Sequence, residues 1–411
     1  MKKNYVYIGL DKGRYSNSAI FMDEDQRVIR EMKFETTHSG CKDLLREIKT
    51  ITSSLDRIPV IGFEGKNDHF KPLIEELVKI EAILKPVSPL SIKRYKDILF
   101  TQEKKDDDID ALAIADYLRT RSQQVRELRI SSPAISAIKE LSRLHRDYTK
   151  QSNRYSNKLI QTLSEYFPEY ISKKLFSKVT CKSSLELLAS YPRPEEIKNL
   201  SLSKLTQFLA KHSRGHLKKD KAKEILELVN SLPQFSFDTS SLGVKVSSLA
   251  STLLFLSEQI AKLEKAMAKE LKDIPETDVL KSIPGVGNIT TARLLGEIGS
   301  IDNFKDDDAL ALYVGLGLLP DKSGKRERTK KTFRFNRHAK YAIMQMASCS
   351  IRHNPASLAF YQRKIKEGKG HWQAIKCLAR NMLRVIYTML KNKTMYQPDF
   401  KNQEVELAKA A

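Results

Sequence analysis

Over the first 120 residues, short apolar runs alternate with helical stripes in a fixed order, and few folds accept that order. Val6 to Asp11 is apolar and ends at polar Lys12-Gly13-Arg14. A second extended run spans Ser18 to Met22, an acidic turn follows at Asp23-Glu24-Asp25-Gln26, and a third runs from Val28 to Phe34. After this meander come a helical stripe at Leu44, Leu45 and Ile48, an apolar strand from Val60 to Phe63, an amphipathic helix from Phe70 to Val78, and a strand near Ala82 to Leu84. The order reads βββαβαβα and closes with a helix from about Asp107 to Leu118, which predicts one α/β domain with a mixed sheet over residues 1–124.

Residues 125–272 read as helical. Ile138, Leu141, Leu144, Tyr148, Tyr155, Leu159 and Leu163 trace one stripe, while Leu249, Leu253, Leu256, Ile260, Leu263 and Met267 alternate steps of four and three. Heptad spacing of this kind predicts a coiled coil and dimerisation, although packing within one helical domain produces the same spacing. A third region, 273–395, opens with Ile283-Pro284-Gly285-Val286-Gly287 and ends in helices around Tyr341 to Ile351 and Trp372 to Leu390. The tail after Asn392, and 396–411 in particular, has little to bury and is expected to be disordered.

Lys and Arg total 72 against 50 Asp and Glu, so the chain carries +22 and suits a polyanion such as nucleic acid. No run approaches the roughly 18 apolar residues of a membrane span, and no secretory segment precedes the first strand, so a cytoplasmic protein without a membrane partner is expected. Cys41, Cys181, Cys349 and Cys377 are too scattered for zinc or redox pairs and read as reduced core thiols.

Four acids punctuate the α/β pattern. Asp11 ends the first strand, Glu64 ends the fourth, and Asp107 and Asp110 share a face of the closing helix. Asp106 also shares a face with Asp110, so spacing leaves the third position open. If the first and fourth strands are neighbours, the acids converge, and their combined charge calls for divalent cations. Hard oxygen ligands suit Mg2+ or Mn2+, and two such ions about 3.5 to 4 Å apart can stabilise both oxygens of a phosphoryl transfer.

Two C-terminal features suit a phosphate backbone. Pro284, Gly285 and Gly287 between helical stretches resemble the turn of a helix-hairpin-helix, where glycines let backbone N–H groups approach phosphate. From Lys322 to Lys340 nine basic residues face one acid, Glu327. The candidate contacts there are Lys322, Gly324, Lys325, Arg326, Arg328, Lys330, Lys331, Arg334 and Arg337. Ser323 heads this stretch. By itself Ser323-Gly324 is an ordinary turn.

As a set, these residues resemble the DEDD transposases of bacterial insertion sequences, the bridge-RNA-guided recombinases related to site-specific DNA invertases. The resemblance rests on Tyr7-Ile8-Gly9-Leu10-Asp11, Gly62-Phe63-Glu64-Gly65, Val87-Ser88-Pro89 and Lys105-Asp106-Asp107-Asp108-Ile109-Asp110-Ala111. Toward the C-terminus it rests on Ile283 to Gly287, Phe304-Lys305, Tyr313-Val314-Gly315-Leu316, and Pro320 followed by Ser323-Gly324. Phe335 stands where a glycine usually precedes the asparagine, here Asn336.

The resemblance implies a ribonuclease H-like (RuvC-like) sheet, a central coiled coil and a helical C-terminal transposase domain. It selects Asp107 as the third carboxylate, making Asp11, Glu64, Asp107 and Asp110 both catalytic and metal-binding, and Ser323 the nucleophile. It further implies double-stranded donor and target DNA, a structured noncoding guide RNA, dimers and then a tetramer, and work at the bacterial nucleoid. Two other readings use the same residues: a metal-dependent nuclease or junction resolvase, with Ser323 a turn residue, and a non-catalytic nucleic-acid-binding protein.

Overall fold

Along β1 (Tyr5–Lys12), Val6, Ile8 and Leu10 alternate with Tyr7 and Gly9, and both sets are buried. A strand covered on both faces belongs in the middle of a layered sheet. β2 (Ser16–Met22) and β3 (Val28–Glu35) follow antiparallel, whereas β4 (Ile58–Glu64) and β5 (Ile83–Val87) run parallel to β1, giving the order β3-β2-β1-β4-β5. One face packs on α1 (His38–Leu55) and α2 (Lys71–Lys79) through Leu44, Ile48, Leu73 and Leu77. The other lies under α3 (Pro89–Leu99) and α4 (Asp107–Arg121), with Tyr7, Val60, Ile92, Ile114 and Leu118 in its core. Ile92 is the buried anchor of α3, too little for hydrophobic periodicity to reveal that helix beforehand.

The computed structural model describes residues 4–65, 71–99, 107–128, 131–233, 238–323 and 326–398, without the side chains at 71, 72, 75, 107, 320–323, 326–328 and 331. Two compact units result, Met1–Ile130 and Ser131–Ala411.

The second unit starts with α5 (Pro133–Tyr166), which Ser132 caps by accepting from the Ile135 N–H, with Pro133 preset for the first turn. It continues through α6 (Glu169–Ser172), α7 (Lys182–Ser190), α8 (Pro194–Lys198), α9 (Leu202–His212) and α10 (Lys219–Ser231) to α11 (Ser240–Glu270). Then come α12 (Glu276–Lys281), α13 (Asn288–Ile298), α14 (Asp307–Val314), the strands β6 (Leu318–Ser323) and β7 (Arg326–Lys331), and α15 (Arg337–His353), α16 (Pro355–Lys366) and α17 (His371–Asn392).

Helices α5 and α11 are antiparallel partners. His145 meets Glu264 at 3.1 Å near one end, and Glu165 meets Lys245 at 4.0 Å near the other. Leu159, Leu163, Val246, Ala250 and Leu253 enter a core with α7 to α10, whereas Ile138 and Met267 enter a core with α12 to α17. The two long helices thus contribute to both cores, and residues 131–272 share one unit with the region 273–395, while 125–130 belong to the first unit.

The heptad stripe faces inward. Leu253, Leu256 and Met267 are buried, Leu249, Ile260 and Leu263 are half-buried, and α5 of the same chain is the main neighbour of α11. Burying this stripe therefore does not require a second subunit. Three other expectations change. Ser240–Asp273 does have the length and mean hydropathy of a membrane span, because its serines and threonines offset its leucines only weakly, yet its leucines pack on the helices around it. The four cysteines are free, as expected, but only half-buried, with Cys41 and Cys181 packed against the margins of hydrophobic cores. The first tail residues are also held: the Tyr396 N–H donates to Ser282 Oγ at 2.8 Å, and Asn354 Nδ2 donates to the Tyr396 hydroxyl at 3.0 Å, while the rest of the expected disordered segment, 399–411, lies outside the described residues.

Candidate active site

Gly9 and Gly62 are direct partners in the parallel register of β1 and β4. A Cβ on Gly9 would lie 2.0 Å from the Ala111 carbonyl oxygen, and one on Gly62 would lie 2.4 Å from Leu118 Cδ1, so α4 rests on this face of both strands. Strand residues two apart share a face. Asp11 and Glu64, each two residues beyond its glycine, consequently stand on adjacent strands and on the α4 side of the sheet.

The phase of α4 places its acids differently. Ala111 and Ala115 lie over β1, whereas Ile114 and Leu118 reach toward β4. Position 107 is one turn before Ala111 on the β1 side, and Asp110 is one turn before Ile114 on the β4 side. The Asp107 side chain and all of Asp106 fall outside the described residues. Asp110 forms an ion pair with Lys96 of α3. Asp108, which sequence left without a role, accepts from Ser18 Oγ at 2.6 Å and pairs with Lys33 at 2.9 Å. The Ser18 hydrogen bond and the Lys33 ammonium hold its carboxyl below the usual range. Ser18 is the antiparallel partner of Asp11, so Asp108 ties the helix to β2 beside that residue.

Among the described residues, no group of three Asp, Glu, His or Cys is poised to hold a metal. The donor chemistry nevertheless suits a hard cation. Asp11, Glu64 and Asp110 offer oxygen ligands at one end of the sheet, and lysines already lie against Asp108 and Asp110.

Ser323 occupies the tip of a hairpin. It ends β6 opposite Arg326, the first residue of β7, and the two connecting residues, Gly324 and Lys325, are outside the described set. The side chains of Lys322, Ser323, Arg326, Arg328 and Lys331 are likewise not described. At the base, Lys330 and Arg334 are exposed beside Phe333, and Arg337 opens α15.

A polar network missed by sequence reading fixes that base. Glu297 is buried with only 2% of its side chain exposed, receives Arg143 through bonds of 2.6 and 2.9 Å, and accepts from Asn336 Nδ2 at 2.7 Å. Burial raises its affinity for a proton, but the bonds from Arg143 and Asn336 prevail and hold the carboxyl below its ordinary value. Asn336 also caps α15 by accepting from the His338 and Ala339 N–H groups, and its own N–H donates to the Tyr313 carbonyl at 2.7 Å. The local signal is Asn336 three residues before Ala339 at the start of a helix, whereas Arg143 and Glu297 are too far apart in sequence for any local pattern to pair them.

The Pro284–Gly287 segment does join two helices, although α12 has only six residues. Gly285 takes φ +86°, and a Cβ there would press on the Cys349 carbonyl at 3.1 Å. The Gly287 N–H donates to Thr290 Oγ1 at 3.2 Å, while space beside Gly287 is open.

Comparison with known proteins gives two family matches. A model described as "Transposase" covers residues 8–168, and one described as "Transposase IS116/IS110/IS902 family" covers residues 277–362. The chain is 29% identical to the 43.6 kDa protein of insertion element IS110 from Streptomyces coelicolor, over 75% of this chain and 76% of that protein. It is 23% identical to the 44.8 kDa protein of insertion element IS116 from Streptomyces clavuligerus, over 96% of both. A shorter match, 27% identical over 33% of this chain and 44% of the other, is to the pilin gene-inverting protein of Moraxella bovis.

Proposed function

Because this chain belongs to the IS110-type family of insertion-element transposases, we propose that it cuts DNA with a serine nucleophile, Ser323, and a four-carboxylate metal centre, and rejoins the strands. The observation that carries this reading is the Gly9–Gly62 pairing beneath α4, which sets Asp11 and Glu64 side by side. The N-terminal sheet is read as RuvC-like. Asp11, Glu64, Asp107 and Asp110 would hold Mg2+ or Mn2+, which when bound neutralises charge on the attacking and leaving oxygens.

Ser323 Oγ attacks a backbone phosphorus, forming an O–P bond as one strand oxygen departs with the proton that serine loses. The hydroxyl of an incoming strand then attacks the phosphoserine and regenerates Ser323, so no bond energy passes to water. The basic hairpin grips phosphates around the reacting group. The pilin gene-inverting relative supports rejoining over hydrolysis, since inversion requires every cut strand to be resealed.

The family resemblance adds a structured guide RNA pairing with donor and target DNA, assembly into dimers and a tetramer with sites shared between protomers, and work at the nucleoid in the cytoplasm. A charge of +22 is compatible with both nucleic acids. Asp11→Asn and Glu64→Gln test the centre directly. Each should abolish strand cleavage while nucleic-acid binding persists, and cleavage at the wild-type rate by either variant refutes the assignment. Sequencing nucleic acid that co-purifies with the protein tests the guide.

A further inference from the structure

The turn between α16 and α17 carries a second set of groups suited to nucleic acid, beyond the end of the second family match at residue 362. The single tryptophan of the chain, Trp372, is 65% exposed there. Its neighbours hold it in place: Tyr361 is hydrogen-bonded to His371 Nδ1 at 2.7 Å, and the His371 ring stands against Trp372 with centroids 5.1 Å apart at 65°. Lys376 is exposed one turn along the same face of α17, and Arg363 and Lys366 are exposed at the end of α16. Glu367 is the one acid between residues 361 and 380, and Lys364 and Lys369 both engage it at 2.7 Å.

Lysines are depleted from protein interfaces, and covering this ring with another protein would also desolvate the cations around it. Nucleic acid offers both complements, a π face for the indole and phosphates for the lysines and arginine. In a duplex the base faces are stacked on one another, so the matching partner is an unpaired nucleotide. We propose that Trp372 is a stacking platform for an unpaired base, with Arg363, Lys366 and Lys376 on the flanking phosphates. This inference rests on the reading that the chain binds nucleic acid, and it is independent of Ser323 and the carboxylates.

Having one tryptophan makes intrinsic fluorescence a direct reporter. The full chain is titrated with dye-labelled single-stranded RNA and, separately, single-stranded DNA of the same mixed sequence, following anisotropy and indole emission together. Emission should fall by about half as anisotropy saturates. Trp372→Ala should bind about tenfold or more weakly, and Trp372→Phe should keep most of the affinity. The two arms show which strand is preferred. Saturating anisotropy with unchanged emission, or wild-type affinity in Trp372→Ala, overturns the platform while leaving the recombinase reading intact. No binding of either single strand by the wild type overturns the platform, and only a failure to bind duplex DNA as well would count against the nucleic-acid reading on which it rests. An emission change on dilution without nucleic acid would assign the surface to self-association instead.

Discussion

Gly9 and Gly62 face each other across β1 and β4, and their missing side chains are what let α4 lie on the strands that carry Asp11 and Glu64. The two approaches differ in kind. Gly9 meets backbone, the Ala111 carbonyl and the Ala115 N–H nitrogen at 2.6 Å, whereas Gly62 meets the ends of the Leu118 and Ile114 side chains. Gly9→Ala should therefore displace α4, costing about 1 to 3 kcal/mol and most of the cleavage activity. Gly62→Ala should cost less, and Leu118→Ala should partly rescue its activity. Thermal melts and cleavage rates on the three variants check this ordering, and equal effects at the two glycines would contradict it.

The Lys96–Asp110 ion pair predicts competition. A cation entering the carboxylate centre must displace the ammonium from Asp110. Lys96→Met should lower the concentration of Mg2+ needed for half-maximal cleavage, whereas Asp110→Asn should remove cleavage at any concentration. Both residues are partly exposed, so neither change should shift stability by more than about 1 kcal/mol. A raised metal requirement in Lys96→Met would show that the lysine belongs to the working site instead.

Much of this was legible in the sequence, for identifiable reasons. Both faces of β1 are buried, so its run was unmistakable, and Asp11 and Glu64 interrupt apolar strands at their ends. The heptad stripe was also real, but spacing reports a helix–helix seam without saying whose helix completes it, and here α5 does. The hairpin that carries Ser323 was hidden because β6 and β7 lack alternating apolar residues, as suits a ribbon held by backbone pairing. The Arg143–Glu297 pair joins residues 154 apart, and nothing local announces it.

Glu297 also gives a pH prediction. Its carboxyl is held below the ordinary 4.5, so its stabilisation is present above that value and is lost as pH falls through the depressed one. Glu297→Gln should destabilise by about 3 kcal/mol at neutral pH, and the gap to wild type should close in acid. Urea unfolding at several pH values measures it. Asn336→Asp keeps a good helix cap but sets a second carboxylate against Glu297, so it should also destabilise, and a gap that is constant with pH would refute the account.

The hairpin is expected to grip phosphates rather than read bases. Replacing Lys325 and Arg328 with Ala should weaken binding to unrelated duplexes alike, since phosphate contacts carry no sequence information. The slope of log affinity against log salt should become shallower by about one unit for each phosphate that is no longer neutralised. An altered sequence preference at unchanged slope would assign these residues to base recognition.

The serine itself decides between a recombinase and a hydrolase, since only covalent attack leaves DNA on the protein. Labelled donor and target DNA, with whatever RNA co-purifies, are incubated with the full chain and Mg2+, stopped in denaturant, and resolved by electrophoresis before peptide mapping. A protein–DNA adduct mapping to Ser323, absent in Ser323→Ala although that variant still binds DNA, is the predicted result. Recombinant product from Ser323→Ala, or DNA linked through another residue, would contradict it.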